Sequence, residues 1–332
     1  MTALHTSDAV TATELRHPPI DAEVLQVLES RDDVVTSMSA EDVAPLRARA
    51  VIPEISELTR EGEFELSVHT AASWDGHEVH IVLLRPHASS GPVPTIYHVH
   101  GGGLVVGSAY EALPLMAEVA REVGAAVASV EYRLAPEHRF PCAVEDAYAG
   151  LVWLFEQASD LGLDPARIIL HGVSAGGGLA AAVALLARER GGPDVRGQML
   201  LCPMLDDRSD TGSALQMTGV GAWDRTANQT AWNLYLHDMP RDQVPIHAAP
   251  ARATNLSGLP PAFVDVGSAE TFRDEVVAYA STIWACGGDA ELHVWPGGVH
   301  GFDTLAPEAT LSYEARQARL RWLTRLLDRS GD

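Results

Sequence analysis

The sequence predicts an α/β protein with a mostly parallel central sheet flanked by helices. Short apolar runs of strand length, such as Pro94 to Val99 and Ala262 to Val266, alternate along the chain with longer segments of helical pattern, such as Pro141 to Glu156. The chain has 332 residues, of which 46% are hydrophobic, and this is enough to bury a large core. Strands that alternate with helices are joined by crossovers, and they therefore run parallel.

The amino-terminal region is predicted to be helical before any strand begins. Asp21 to Ser30 has apolar residues at helical spacing. Ser39 is a suitable cap for a second helix, because acidic residues at 41 and 42 follow it, and this helix should reach about Val51 before Pro53. Since this region precedes the first strand, residues 1–60 are interpreted as one segment of a helical cap.

From residue 61 to residue 332 the chain reads as one α/β domain with a single interruption. Asp75-Gly76 is typical of a hairpin turn between the first two strands. Residues 206–240 break the alternation, and we interpret this insertion past a strand's carboxyl end as the second segment of the cap. The expected strands are 64–72, 78–85, 94–99, 125–132, 168–170, 198–201, 262–266 and 291–295, and the expected helices are 111–123, 141–156, 179–190, 227–236, 274–285 and 312–327.

One motif in this pattern carries chemistry. Gly172-Val-Ser-Ala-Gly176 is a G-x-S-x-G sequence with an apolar strand before it and an Ala/Leu-rich helix after it, as the nucleophile elbow of an α/β-hydrolase requires. The two outer glycines lack the Cβ atoms that would clash where the helix folds back on its strand. Ser174 also lies at the helix N-terminus, where the dipole favours negative charge. We predict that Ser174 is the nucleophile; the alternative is an ordinary helix-capping serine.

A serine nucleophile needs a base and an acid that orients it. His300 follows the last expected strand in a glycine-rich loop at the carboxyl edge of the sheet, and it is the predicted base. Four carboxylates compete for the role of the acid. Asp265 lies within a strand, whereas Asp274 and Glu275 begin a helix, where acidic side chains are favourable without any further role. Glu270 is the first carboxylate beyond the strand and is the predicted acid, with Asp274 as the alternative.

The predicted oxyanion hole is the segment His100-Gly-Gly-Gly103, which directly follows the strand 94–99. Glycines let the backbone turn its N–H groups toward a substrate without steric cost. We expect the N–H groups of Gly102, Gly103 and Ala175 to be the donors. A phosphate-binding loop is disfavoured, because the Lys and Ser/Thr of a P-loop and the third glycine of a dinucleotide fingerprint are absent.

Charge and cysteine content exclude several classes of partner. A net charge of −22 disfavours nucleic acid and anionic membranes, which need a positive surface. His98 and His100 have no carboxylate or cysteine at suitable spacing, so a metal site is not expected. We interpret Cys142, Cys202 and Cys286 as buried reduced thiols, which favours a cytoplasmic location. No signal peptide or membrane span is expected, because the first twenty residues and the apolar runs lack the required patterns.

Together, these stretches resemble the hormone-sensitive-lipase-like branch of the α/β-hydrolases, and its bacterial carboxylesterases in particular. The resemblance implies an α/β-hydrolase core with a helical cap built from the two segments above. It also implies hydrolysis of short- to medium-chain acyl esters without a cofactor, and a homodimer formed through the sheet edge. The matching residues are His100–Gly103, Glu131–Glu137, Phe140-Pro141, Glu145-Asp146, Gly172–Gly177 and Val299–Phe302.

The chain departs from this branch at two positions. Val173 stands before the elbow serine, where the branch commonly has Asp or Thr. Glu270-Thr-Phe stands where the branch usually has Asp-Pro-Leu, so the carboxylate is on a longer arm, although some members of the branch use Glu. The sequence as a whole therefore predicts a serine carboxylesterase that acts through an acyl-enzyme. The alternatives are a non-catalytic small-molecule receptor on the same fold and an amidase or peptidase.

Overall fold

The computed structural model describes residues 16–87, 89 and 91–328, so the part of the predicted cap segment that falls on residues 1–15 lies outside the described residues. The strands are β1 (Phe64–Ala72), β2 (Glu78–Pro86), β3 (Val93–Val99), β4 (Ala126–Glu131), β5 (Leu163–Val173), β6 (Gly197–Leu201), β7 (Ala262–Gly267) and β8 (Ala290–Trp295). The α-helices are α1 (Ala22–Ser30), α2 (Val43–Arg47), α3 (Ile55–Thr59), α4 (Leu113–Val123), α5 (Cys142–Gln157), α6 (Ala175–Arg190), α7 (Gly212–Gln216), α8 (Arg225–Leu236), α9 (Arg273–Ala285), α10 (Phe302–Leu305) and α11 (Thr310–Asp328).

Within the described residues, the strands form one sheet in the spatial order β1-β2-β4-β3-β5-β6-β7-β8. The pairs β1/β2 and β2/β4 are antiparallel, and every other neighbouring pair is parallel. The predicted fold class is thus confirmed. Because β3, β5, β7 and β8 run in one direction, the loops that follow them meet at one edge of the sheet.

Helix α6 is buried along most of its length against the centre of the sheet. Its side chains are mainly Ala and Gly, which allow a close approach to β5 and to the segment after β6. A Cβ atom on Gly178 would lie 2.1 Å from the carbonyl oxygen of Met204, so only glycine fits at this contact. The small residues of α6 therefore fix the distance between the helix and the loops around Ser174.

All the predicted strands and long helices of the α/β domain occur, but β5 spans Leu163–Val173 where 168–170 was expected, and α6 begins at Ala175 where 179 was expected. The helix expected from Ser39 to Val51 was wrong in length: a 3-10 turn at Ala40–Asp42 leads into α2, which ends at Arg47. Pro45 explains the break, because proline lacks the N–H that a continuous helix would need at this position. Helices α3, α7 and α10 were not predicted, because four or five residues are too few to show a helical period.

The two predicted cap segments contact each other directly. The N–H of Trp223 donates to the carbonyl of Val35 at 2.8 Å, and the N–H of Asp224 donates to that of Thr36 at 2.7 Å. The Thr36 hydroxyl in turn donates to the carbonyl of Gly221. Residues 35–37 therefore add a second piece of chain to the insertion at 206–240.

The three cysteines are free thiols. Cys202 is buried as expected, but the prediction of burial was wrong for Cys142 and Cys286, which are partly exposed because they lie at the ends of α5 and α9. None of the helices in the described part of the chain is both long and apolar enough to cross a membrane.

A buried ion pair supports the turn after β4. Asp146 on α5 is fully buried, and its carboxylate accepts hydrogen bonds from the guanidinium of Arg133 at 2.7 Å and from the hydroxyl of Ser73 at 2.6 Å. The same guanidinium also donates to Asp75 in the β1–β2 turn. One arginine thus connects the hairpin, the turn after β4 and α5.

We expect Arg133→Met to lower the free energy of unfolding by about 3–5 kcal/mol, because it leaves the Asp146 carboxylate buried without its charged partner. The matched control is Arg190→Met. Arg190 pairs with Glu145 at 2.6 Å, but its side chain is 42% exposed, so the expected loss is below about 1 kcal/mol. Urea denaturation of both variants measures the difference; similar losses would contradict this account of Arg133.

Candidate active site

Ser174 lies on a sharp turn between β5 and α6. Its backbone has φ 57° and ψ −122°, a conformation that non-glycine residues rarely adopt. Its N–H donates to the carbonyl of Leu201 at 2.8 Å, and its own carbonyl accepts from the N–H of Met204 at 2.9 Å. These two hydrogen bonds to the chain after β6 hold the turn in place.

The two glycines of the motif allow this turn to close. A Cβ atom on Gly172 would lie 2.1 Å from the carbonyl oxygen of Gly176, where the helix folds back over the strand. A Cβ atom on Gly176 would lie 2.1 Å from the carbonyl oxygen of Val99, at the end of β3. Larger residues would push the helix away from β5 and β3, so the predicted reason for both glycines agrees with the geometry.

The structure brings Ser174, His300 and Glu270 together in one hydrogen-bonded chain. His300 Nε2 is 2.9 Å from Ser174 Oγ, and His300 Nδ1 is 2.6 Å from Glu270 Oε1. Because a carboxylate can only accept, Nδ1 carries the hydrogen, and Nε2 of the neutral ring is then free to accept from the serine hydroxyl. A serine, a base and an orienting acid are therefore in the geometry that acyl transfer requires.

Glu270 is held rigidly beneath His300. Its side chain is fully buried, and its second oxygen, Oε2, accepts from the N–H of Gly267 at the end of β7. Phe272 packs edge-on against the imidazole, with ring centroids 5.1 Å apart. The backbone thus fixes one oxygen of the Glu270 carboxylate, and the other oxygen accepts from the imidazole of His300. This hydrogen bond and the contact with Phe272 hold the imidazole in one orientation.

The other three carboxylates of this stretch have other partners. Asp274 accepts from the N–H of Ser213 and from Arg273, and it makes no hydrogen bond to His300 in the described structure. Asp265 pairs with Arg319 and accepts from the indole of Trp295. The side chain in contact with the imidazole is therefore that of Glu270, and Asp274 acts in a different part of the structure.

Glu275 is buried and accepts from the N–H groups of Leu205 and Asp206. Burial raises the pKa of this carboxyl well above its ordinary value. The Glu275 side chain supports the chain that follows β6. It lies on the first turn of α9, just after the loop that contains Glu270. Its position on α9 agrees with the expectation that it needs no part in the chemistry.

The glycine loop after β3 adopts left-handed backbone conformations, with φ 107° at Gly102 and φ 61° at Gly103. A Cβ atom on Gly102 would lie 2.1 Å from the carbonyl oxygen of Val106. In the described structure, no protein acceptor takes the N–H of Gly102, of Gly103 or of Ala175. Three backbone N–H groups without protein acceptors therefore lie in the loop after β3 and at the start of α6, the helix that follows Ser174.

His100 anchors this loop. Its Nδ1 donates to the carbonyl of Gly101 at 2.8 Å, and its ring stacks on Tyr132 with centroids 4.1 Å apart. The Tyr132 hydroxyl donates to the carbonyl of His100. Burial lowers the pKa of His100 to about 4, so the ring is neutral near pH 7 and adds no charge to the loop. The sequence motif contained Tyr132, but no sequence argument assigned it this contact.

One group of side chains has the donor types of a metal site. Potential ligand atoms of Cys202, Glu270 and His300 lie within 4.8 Å of one another. Burial, together with the neighbouring Glu270 carboxylate, raises the pKa of the Cys202 thiol well above its ordinary value. Because metals bind the thiolate rather than the thiol, this donor set is a poor fit for zinc. The prediction of no metal remains a prediction.

Ser174 is nearly buried, with 5% of its surface exposed. Two cavities on the described surface do not include it. A cavity of about 480 Å³ is lined by charged residues that include Asp207 and Arg241. A second cavity, of about 1250 Å³, lies near Phe155 and Leu326. Ser174 lines neither of these two cavities. The candidate site is therefore defined by the hydrogen bonds between its side chains.

Comparison with known proteins agrees with the fold and the site. The model of a family described by its α/β hydrolase fold matches residues 96–304, which contain the glycine loop after β3 and His300. The carboxylesterase NlhH of Mycobacterium tuberculosis is 32% identical over 322 residues, which cover 96% of this chain and 99% of NlhH. The ethyl acetate hydrolase of Pseudomonas putida is 33% identical over 232 residues, which cover 69% of this chain and 72% of that protein.

Solved structures of esterases are similar to this chain as well. A bacterial heroin esterase has a TM-score of 0.86 and 38% sequence identity, and the match covers 94% of this chain and 98% of that chain. The protein therefore belongs to the α/β-hydrolase fold family, in its hormone-sensitive-lipase-like branch. Within this family it is a serine esterase that hydrolyses carboxylic esters.

Replacing Glu270 with Gln should lower kcat by a factor on the order of 10³ to 10⁴, because an amide can donate to Nδ1 and favour the wrong tautomer of His300. Asp274→Asn is the control, since Asp274 contacts Ser213 instead, and its kcat should stay within about threefold of wild type. Steady-state kinetics with p-nitrophenyl butyrate distinguish the two. A larger loss in Asp274→Asn would assign the acid to that residue.

Proposed function

We propose that Ser174, His300 and Glu270 form the catalytic triad of this esterase. The observation that carries the proposal is the continuous chain of hydrogen bonds, 2.9 Å from Ser174 Oγ to His300 Nε2 and 2.6 Å from His300 Nδ1 to Glu270. In this arrangement the serine hydroxyl can lose its proton to Nε2 while it attacks a carbonyl carbon. The buried carboxylate then stabilises the imidazolium without taking the proton.

The reaction proceeds in two halves. Ser174 Oγ attacks the ester carbonyl, and His300 transfers the proton that it has taken to the leaving alcohol, which leaves an acyl-enzyme on the serine. Water then occupies the place of the alcohol. His300 takes a proton from this water and returns it to Ser174 Oγ as the carboxylic acid departs. Each half requires a donor set for the negatively charged oxygen of the tetrahedral intermediate.

Gly102, Gly103 and Ala175 supply these donors through their N–H groups. The proposal is supported by the lack of protein acceptors for all three N–H groups in the described structure and by the left-handed backbone of the two glycines. Ala175 begins α6, so the helix dipole adds to the stabilisation of an anion. Loss of one such donor raises a barrier by about 2.7–4 kcal/mol, which gives this loop an importance close to that of the triad.

The substrates proposed are short- to medium-chain acyl esters. The names of two relatives, an ethyl acetate hydrolase and a heroin esterase, are consistent with small acyl groups. Residues 1–60 and 206–240 are proposed to form the cap over Ser174, supported by the contacts of Val35 and Thr36 with the insertion. The relatives give no support to a receptor, an amidase or a peptidase.

Two further assignments concern the protein's surroundings. Free thiols at all three cysteines support a reducing compartment, and we propose a cytoplasmic location. A homodimer through an edge of the sheet is also proposed. In the described sheet, the edge strands β1 and β8 each pair with one neighbour alone, so their outer edges have backbone groups available for a partner strand.

We expect Ser174→Ala to lower kcat for p-nitrophenyl butyrate by a factor on the order of 10⁵ to 10⁶, since the variant lacks the attacking oxygen. The wild-type protein should be labelled by a fluorophosphonate probe and the variant should not. Circular dichroism provides the control for folding. Wild-type turnover in a folded Ser174→Ala protein would overturn the triad assignment.

A further inference from the structure

The base loop, residues 296–301, carries His300 between the end of β8 and the start of α10. Three of its six residues are glycines, and Gly297 and Gly301 adopt left-handed backbone conformations with φ 81° and 63°. Glycine restricts the backbone less than any other residue does. The position of the imidazole therefore depends on contacts that other parts of the chain make with the base loop and its two ends.

Arg319, in the middle of α11, connects the two ends of the base loop. Its Nε donates to Asp265 Oδ2 on β7 at 2.8 Å, and the same oxygen accepts from the indole N–H of Trp295, the last residue of β8. An N–H of the same guanidinium, at Nη1, donates to the carboxylate of Asp303 on α10, three residues after His300. One side chain thus links the chain before the base loop to the chain after it.

The charges of this cluster lie in the interior. The side chains of Arg319, Asp265 and Asp303 are 10%, 2% and 13% exposed. Burial acts to raise the pKa of the Asp303 carboxyl, but the charge of the Arg319 guanidinium holds it below its ordinary value. Because a buried carboxylate is strongly destabilised when it loses its charged partner, we expect the guanidinium and both carboxylates to stay in contact.

The same cluster adjoins the acid. Asp265 lies two residues before Gly267, whose N–H donates to Glu270, and the carbonyl of Asp265 accepts from the N–H of Cys202 at 2.8 Å. Potential ligand atoms of Cys202, Glu270 and His300 lie within 4.8 Å of one another. The contact between Arg319 and β7 therefore lies close behind both the acid and the base.

Helix α11 does not need a buried charge in order to pack on the sheet. Its buried face consists mainly of apolar side chains, among them Leu311, Trp322 and Leu323. An apolar residue at position 319 would fill space on this face without removing three charged groups from water. What the guanidinium adds is a rigid fork of donors that fixes the directions of two separate carboxylates.

We propose that Arg319 is a positioning residue: through Asp265 and Asp303 it fixes both ends of the base loop, and it thereby holds the imidazole of His300 at Ser174. The inference rests on the proposed function, in which His300 is the base. Without the guanidinium, α10 and the base loop sample additional positions. The fraction of molecules in which Nε2 can accept the serine proton then falls, although the groups that bind the ester are unchanged.

Arg319→Met removes the guanidinium and keeps a long, unbranched side chain. Its kcat for p-nitrophenyl butyrate should fall by about tenfold to a hundredfold, because a small displacement of the base is enough to slow proton transfer. Its KM should stay within about threefold of wild type, since no group that binds the ester is removed. Circular dichroism and steady-state kinetics are measured at a temperature at which the variant is folded.

Two further variants sharpen this test. Asp303→Asn leaves the pair of Arg319 with Asp265 in place and weakens only the contact with α10, so its kcat should fall by about threefold to tenfold at a similar KM. Arg325→Met is the matched control on the same helix. Arg325 pairs with Glu291 on β8 and is 52% exposed, so its removal should change kcat by less than about twofold.

Proton NMR observes the position of the imidazole without turnover. The hydrogen on His300 Nδ1, in its 2.6 Å bond to Glu270, should resonate far downfield of the amide protons, and its absence in His300→Ala identifies it. This resonance should broaden or disappear in folded Arg319→Met and remain in Arg325→Met. If exchange with water hides it in wild type, the kcat and KM values decide.

Wild-type kcat in folded Arg319→Met overturns the inference, and so does a lower kcat with an unchanged Nδ1 resonance, since the loss would then act elsewhere than on the base. If Arg319→Met does not fold, Asp303→Asn decides: an unchanged kcat overturns the inference, and a loss at constant KM supports it.

The same experiments separate this inference from the function on which it rests. Wild-type turnover in His300→Ala would remove the assignment of the base. A complete loss in His300→Ala, together with unchanged kcat in Arg319→Met and Asp303→Asn, would leave the triad intact and remove only the role of Arg319.

Discussion

The close contact between α6 and the central strands is the constraint on which the site depends. Gly172 and Gly176 let the helix fold back directly over β5, and the Ala/Gly composition of α6 keeps it there. The serine at the turn is consequently forced into φ 57°. Hydrogen bonds to Leu201 and Met204 compensate for this strained backbone, so the hydroxyl is positioned by the packing of the core rather than by its own preference.

The remaining groups follow from sheet order. β7 and β8 are neighbours, and their carboxyl ends carry the loops that contain Glu270 and His300. β3, on the other side of β5, leads into the glycine loop. Three loops from separate parts of the chain thus meet near one serine because their strands lie on the two sides of β5 and run in one direction, so that their carboxyl ends share one edge of the sheet. This edge is the usual location of sites in open α/β sheets.

Much of this arrangement could be predicted from local patterns. Strand-length apolar runs predicted the sheet, and the glycines around Ser174 predicted a close strand-to-helix turn, because each is a short-range steric signal. The choice of Glu270 rested on its place after a strand. The contact of Asp274 with Ser213 could not be predicted in this way, since it joins residues 61 positions apart. The same is true of Trp223, whose indole meets Gly103 only in three dimensions.

The hydrogen bonds between residues 35–37 and residues 219–224 have a consequence for engineering. The proposed cap is assembled from two pieces of chain that are about 185 positions apart. A chimera that exchanged the later piece alone would lose the complementary acceptors of Val35 and Thr36, and its tryptophan would no longer be directed toward the glycine loop. Recombination among related esterases therefore has to transfer the segment around residues 35–37 together with the segment around residues 219–224.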